Sequence, residues 1–110
     1  MKKQKDLQKY RHSARLIVSG VGAGIFLKAQ KSICPICGNR LYLKDITIDH
    51  VFPLSYIKKN SGNILLCHFD CNQKKGDRFP TNEEIKMLEE VNERIGYNSS
   101  TGRYSYRHVS

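Results

Sequence analysis

Long apolar runs are missing from this sequence. The longest, Leu16 to Leu27, is broken by a serine and three glycines and is too short to cross a bilayer. No stretch combines a basic leader, an apolar run and a small-residue cleavage site, so no secretory signal is expected. Acidic residues are also scarce: ten Asp and Glu stand against nineteen Lys and Arg, a formal net charge of +9. Five of those ten acids lie between Glu83 and Glu93, which leaves the remaining surface strongly positive. Such a surface favours polyanions and speeds their encounter. Acidic lipid would feel the same field, but nothing here anchors in a membrane. The expectation is a cytoplasmic protein without a membrane partner.

The length of 110 residues suits one domain with a modest core. No internal repeat is visible, and nothing marks a second domain. Four cysteines fall at positions 34, 37, 67 and 71. Without a secretory signal there is little reason to expect a disulfide framework. Cys34-Pro-Ile-Cys37-Gly38 has the two-residue gap of a knuckle that aims two thiolates at one ion. Cys67 and Cys71 would supply the other pair, as C-x3-C, for a structural zinc whose binding contributes directly to folding. Four buried, reduced cysteines are the bland alternative, and a redox use of Cys34 and Cys37 lacks a following helix pattern. The second gap is wider than usual and His68 stands beside Cys67 as a substitute ligand. The reading nevertheless takes all four thiolates and treats His68 as a surface or core histidine.

The pattern along the chain is uneven. Residues 5 to 19 have helical character, and Gly20, Gly22 and Gly24 should interrupt it. "IFLKAQKSI" reads as a short strand or an irregular approach to Cys34. "LYLKDITIDHVF" is rich in strand formers and should end at Pro53, and "KKNSGN" is a loop. "HFDCNQKKGD" fits a two-turn helix closed near Gly76. Thr81 and Glu84 fit a capping box ahead of Ile85, Leu88, Val91 or Asn92, and Ile95 at helical spacing, with Gly96 as the stop. "YNSSTGRYSYRHVS" shows no stable pattern.

Asp49 and His50 sit side by side in the apolar stretch "ITIDHVFPL", and closing the knuckles places them mid-domain. Around them lie Asn63, Asn72 and the basic residues Lys74, Lys75 and Arg78. Phosphodiester hydrolysis needs a base for water and a cation for the developing charge. Histidine serves as base near neutral pH, and Asp49 and Asn72 offer hard oxygens suited to magnesium or manganese. Asn63 would hold the imidazole or its backbone in place. Lys74, Lys75 and Arg78 would grip flanking phosphates. Each residue also has a dull reading: His50 as a core histidine, Asp49 as a turn cap, Asn63 as turn geometry and Asn72 as a helix cap.

The ordered series "CPICG", "IDHVFPLS" and "GNILLCHFDCNQKKGD" resembles the zinc-containing HNH endonucleases. The resemblance implies a small α+β fold, a ββα-metal core stapled by a four-cysteine zinc site, with flanking helices. It implies His50 as the general base and Asp49 and Asn72 as ligands of one catalytic Mg2+ or Mn2+. Asn63 would fix the loop, and Cys34, Cys37, Cys67 and Cys71 would bind zinc. Products with a 5′ phosphate and a 3′ hydroxyl are implied as well.

The expected organisation is a basic N-terminal extension at 1–33, a nuclease domain with its C-terminal helix at 34–96, and a polar tail at 97–110. DNA is the expected partner. Target choice is left to the basic N-terminus, the tail, a second copy in a homodimer or an added specificity subunit. The resemblance also suits a bacterial or phage-infected cell. The rival reading is a non-catalytic zinc-stabilised DNA-binding module, and an RNA-directed nuclease stands behind it.

Overall fold

The computed structural model describes residues 21–57, 62–98, 100–101 and 103–107. The helix expected over 5–19 and part of the "KKNSGN" loop lie outside them. The described elements run α1 (Val21–Ala29), β1 (Ile46–His50), β2 (Ile64–His68), α2 (Phe69–Lys75), α3 (Asn82–Arg94), β3 (Ile95–Asn98) and β4 (Arg103–Tyr106), with a short 3-10 turn at Leu43–Asp45.

Helix α1 forms straight across Gly22 and Gly24, where the sequence predicts interruption. Each glycine costs a helix about 1 kcal/mol relative to alanine. Tertiary burial offsets this: Ala23, Phe26 and Ala29 are buried along one face, and a buried phenylalanine alone contributes roughly 1.5–3 kcal/mol. Lys31 and Ser32 then adopt left-handed backbone, with φ of 55° and 56°, and turn the chain out of the helix. Buried Gln30 closes this corner. Its Nε2 donates to Leu66 O at 2.8 Å and its Oε1 accepts from Leu66 N at 2.7 Å, so the side chain pairs with the β2 backbone as another strand would.

The knuckle follows. Gly38 N donates to Cys34 O, Cys34 N donates to Asn39 O, and Gly38 has φ of 79°, a value that favours glycine. β1 and β2 pair antiparallel, with Ile46 opposite His68 and His50 opposite Ile64. The two histidines therefore mark opposite ends of one hairpin. α2 continues directly from β2 and ends at Gly76, as the sequence indicates. The capping box on α3 is present in both directions: Glu84 N donates to Thr81 Oγ1 and Thr81 N donates to Glu84 Oε2.

The helix stops at Arg94, and the stretch read as patternless makes a hairpin instead. β3 and β4 pair from Ile95 opposite Tyr106 to Asn98 opposite Arg103. Tyr104 and Tyr106 alternate with exposed Arg103 and Ser105, and Tyr104 meets Phe26 edge-on at 4.8 Å. One apolar core joins Phe26 and Ala29 of α1, Ile48, Leu65 and Leu66 of the first hairpin, Leu88 and Val91 of α3, and Ile95. Among the described residues no helix is long and apolar enough to cross a membrane.

Candidate functional site

Two centres occupy opposite ends of the β1–β2 hairpin. At the His68 end, the donor atoms of Cys34, Cys37, His68 and Cys71 all lie within 4.8 Å of one another. Cys37 Sγ is 3.3 Å from His68 Nδ1, and Cys71 Sγ is 3.8 Å from the same nitrogen. Ligands placed tetrahedrally 2.0–2.3 Å from a zinc ion stand about 3.3–3.8 Å apart. The donor set therefore fits zinc.

The imidazole carries its own indication. His68 Nε2 lies 2.9 Å from Arg40 O. A carbonyl only accepts, so Nε2 holds the proton and, in the neutral ring, Nδ1 turns its lone pair toward the sulfurs. A ring that donates one N–H to a carbonyl and offers the other nitrogen is the usual state of a metal-binding histidine.

This corrects the four-cysteine expectation. Cys67 is fully buried in the apolar core and does not join the cluster. Adjacent residues on a strand face opposite sides, so β2 can aim only one of Cys67 and His68 at the knuckle. His68 leads into α2, where Cys71 lies three residues on and shares its face. The pattern is C-x2-C with H-x2-C, and the anomalous three-residue gap disappears. That spacing was the signal in the sequence.

The environments of the thiols differ accordingly. Burial, then Asp49, pushes the Cys67 thiol far up, which suits a core residue. Burial and the neighbouring Cys37 and Cys34 push Cys71 up to about 12. Burial also acts to raise Cys37, but the Asn39 N–H and the Cys34 and Cys71 thiols outweigh it and hold the group below its ordinary value.

At the other end, Asn63 before β2 and two side chains from α2 grip five consecutive residues. Asn72 Nδ2 donates to Ile48 O at 3.1 Å. Lys75 Nζ donates to Asp49 Oδ1 at 3.0 Å, His50 O at 3.0 Å and Val51 O at 2.9 Å. Asn63 accepts from Phe52 N through Oδ1 at 2.8 Å, donates through Nδ2 to Phe52 O at 2.9 Å, and accepts from Val51 N through its own carbonyl.

Segment 48–52 is thus fixed on every residue. Asp49 shares the Thr47 face of β1, and His50, half-buried, ends the strand on the other. Burial raises the Asp49 carboxyl above its usual range, while Lys75 acts against this.

The basic residues separate in the structure. Lys74 is exposed on α2. Lys75, expected on the phosphates, is 4% exposed and paired with Asp49, itself 3% exposed. Sequence alone missed that role, because one lysine in a basic run looks like the next. Arg78 makes a two-pronged contact with buried Glu84 at 3.1 and 2.8 Å, although 41% of its side chain remains accessible. Glu84 thereby serves both the helix cap and this arginine.

Residues 34–81 match the HNH endonuclease family. Over that segment the chain is similar to the HNH endonucleases. The matched HNH stretch contains both centres and ends at the α3 cap. The match points to a nuclease or other DNA-directed function. No curated protein matches the sequence.

Proposed function

We propose that this HNH chain is a DNA endonuclease that hydrolyses phosphodiester bonds with a histidine base and one divalent ion. The observation that supports it best is the convergence of Asn63, Asn72 and Lys75 on residues 48–52. Three side chains devoted to one short segment would hold Asp49 and His50 in a fixed relation, which a catalytic pair requires.

In this reading His50, on its clamped turn, takes a proton from the attacking water. The water oxygen bonds to phosphorus, the bond from phosphorus to the 3′ oxygen breaks, and that oxygen takes a proton from solvent, leaving a 5′ phosphate and a 3′ hydroxyl. Asp49 and Asn72 would hold Mg2+ or Mn2+ through oxygen. Asn72 spends its Nδ2 on Ile48 O, which leaves the amide oxygen for that task. A bound ion supplies charge stabilisation at the phosphate and the departing oxygen. Asn63 keeps the His50 turn in place. Cys34, Cys37, His68 and Cys71 would hold zinc as a staple at the far end of the hairpin, remote from the chemistry.

The net charge of +9 and exposed Lys74 would draw and hold the DNA backbone. A second copy or a specificity subunit would supply any choice of sequence. The burial of Asp49 against Lys75 favours one rival, a zinc-stabilised DNA-binding module that cuts nothing. Incubation with supercoiled plasmid and branched DNA, with and without magnesium, separates the two: nicking that needs the ion supports the nuclease, and tight binding without nicking supports the module.

A further inference from the structure

Lys75 closes α2 within a run of basic residues, where a phosphate contact is the natural expectation. Its ammonium has three N–H bonds, and the structure meets all three with acceptors from Asp49, His50 and Val51. Those acceptors come from consecutive residues where β1 leaves its partner strand, since the pairing ends at His50 opposite Ile64. A buried ion pair is weak evidence for stability, because apolar replacements of similar volume are often as stable.

We propose that Lys75 is a positioning residue that fixes the path of residues 49–51, and with it the bearing of the Asp49 carboxylate and the His50 imidazole, without touching nucleic acid. Its catalytic consequence rests on the nuclease reading. Its effect on the turn does not.

The experiment uses the full zinc-loaded chain and compares wild type, Lys75→Met and Lys74→Met. Amide hydrogen exchange is the first readout. Val51 N and Phe52 N both bond to Asn63 and report the turn, whereas Leu66 N bonds to Gln30 and reports the core. Lys75→Met should speed exchange at Val51 and Phe52 on the order of tenfold, the effect of about one net hydrogen bond, and leave Leu66 slow. Unchanged exchange at both turn amides overturns the proposal, whatever the protein does to DNA.

Single-turnover cleavage and salt-dependent DNA binding give the second readout. Lys75→Met should cut about 10²-fold more slowly, the usual consequence of a small misplacement, with DNA affinity and salt slope retained. Lys74→Met should weaken binding and flatten the slope. A Lys75→Met protein with that same loss of slope would be missing a phosphate contact, and the proposal would fall. Wild type that cuts no DNA defeats the nuclease reading alone, and the exchange result still decides the role of Lys75.

Because Lys75→Met leaves Asp49 buried without its cation, the exchange comparison is repeated in Asp49→Asn with Lys75→Met. Fast exchange at Val51 and Phe52 should persist there, since the His50 and Val51 carbonyls have still lost their donor. Wild-type rates in that variant would overturn the proposal.

Discussion

Replacing His68 and Cys67 in turn distinguishes a metal ligand from its neighbour. Structural zinc contributes about 10–16 kcal/mol across four ligands, so one ligand accounts for roughly 2.5–4 kcal/mol, or about 10²–10³ in affinity. His68→Ala should therefore lose zinc to a chelator at concentrations that leave wild type loaded, and melt in the same range. Cys67→Ala removes one fully buried sulfur from the core and leaves the Cys34, Cys37, His68 and Cys71 donors in place. Its cost should be a small cavity of about 1–2 kcal/mol, or roughly 5–10 °C in Tm, with one zinc per chain retained. The assay is elemental analysis, chelator competition and thermal melting on both variants. Zinc affinity should also rise with pH. Cys71 is pushed up to about 12 in the metal-free protein, so its thiol is protonated at neutral pH and must give up that proton to bind. Wild-type zinc affinity in His68→Ala, or loss of zinc in Cys67→Ala, would refute the assignment.

Three further outcomes follow from single side chains. Lys74→Ala should weaken DNA binding across sequences and lower the slope of log affinity against log salt by about one, measured by fluorescence anisotropy. Glu84→Ala removes half of the capping box and the partner of Arg78. With Arg78 partly solvated, the loss should stay near 1–2 kcal/mol by chemical denaturation. Thr47→Val should stabilise the fold by about 1–2 kcal/mol in the same assay, because Thr47 Oγ1 is buried and has no hydrogen-bond partner among the described residues.

Local chemistry in the sequence was a good guide wherever a short motif settles its own geometry. Thr81 and Glu84 announce the α3 start, Cys34 to Gly38 announce a knuckle, and Gly76 announces the end of α2. It failed where distant parts of the chain decide. Gly22 and Gly24 argue against a helix until Phe26 and Ala29 find the core. Tyr104 and Tyr106 alternate with polar residues as strand residues do, but the run is short and its pairing partner overlaps the end of a helix. Cys67 and His68 differ in role only through strand parity, and the parity of β2 depends on its register with β1. Lys75 looks like Lys74 until α2 is laid against β1. The HNH resemblance was legible because the order of the motifs carries the information, whereas the direction of each side chain comes from packing.

The most direct test of the account is single-turnover cleavage by wild type and His50→Ala with saturating DNA, across a magnesium titration, on plasmid and branched substrates. Wild type should cut in a magnesium-dependent way. His50→Ala should lose ~10²–10⁴-fold that no magnesium concentration restores, with zinc content and DNA affinity unchanged. Near-wild-type cutting by His50→Ala would contradict the mechanism, and wild type that binds DNA with magnesium yet cuts neither substrate would contradict the activity itself.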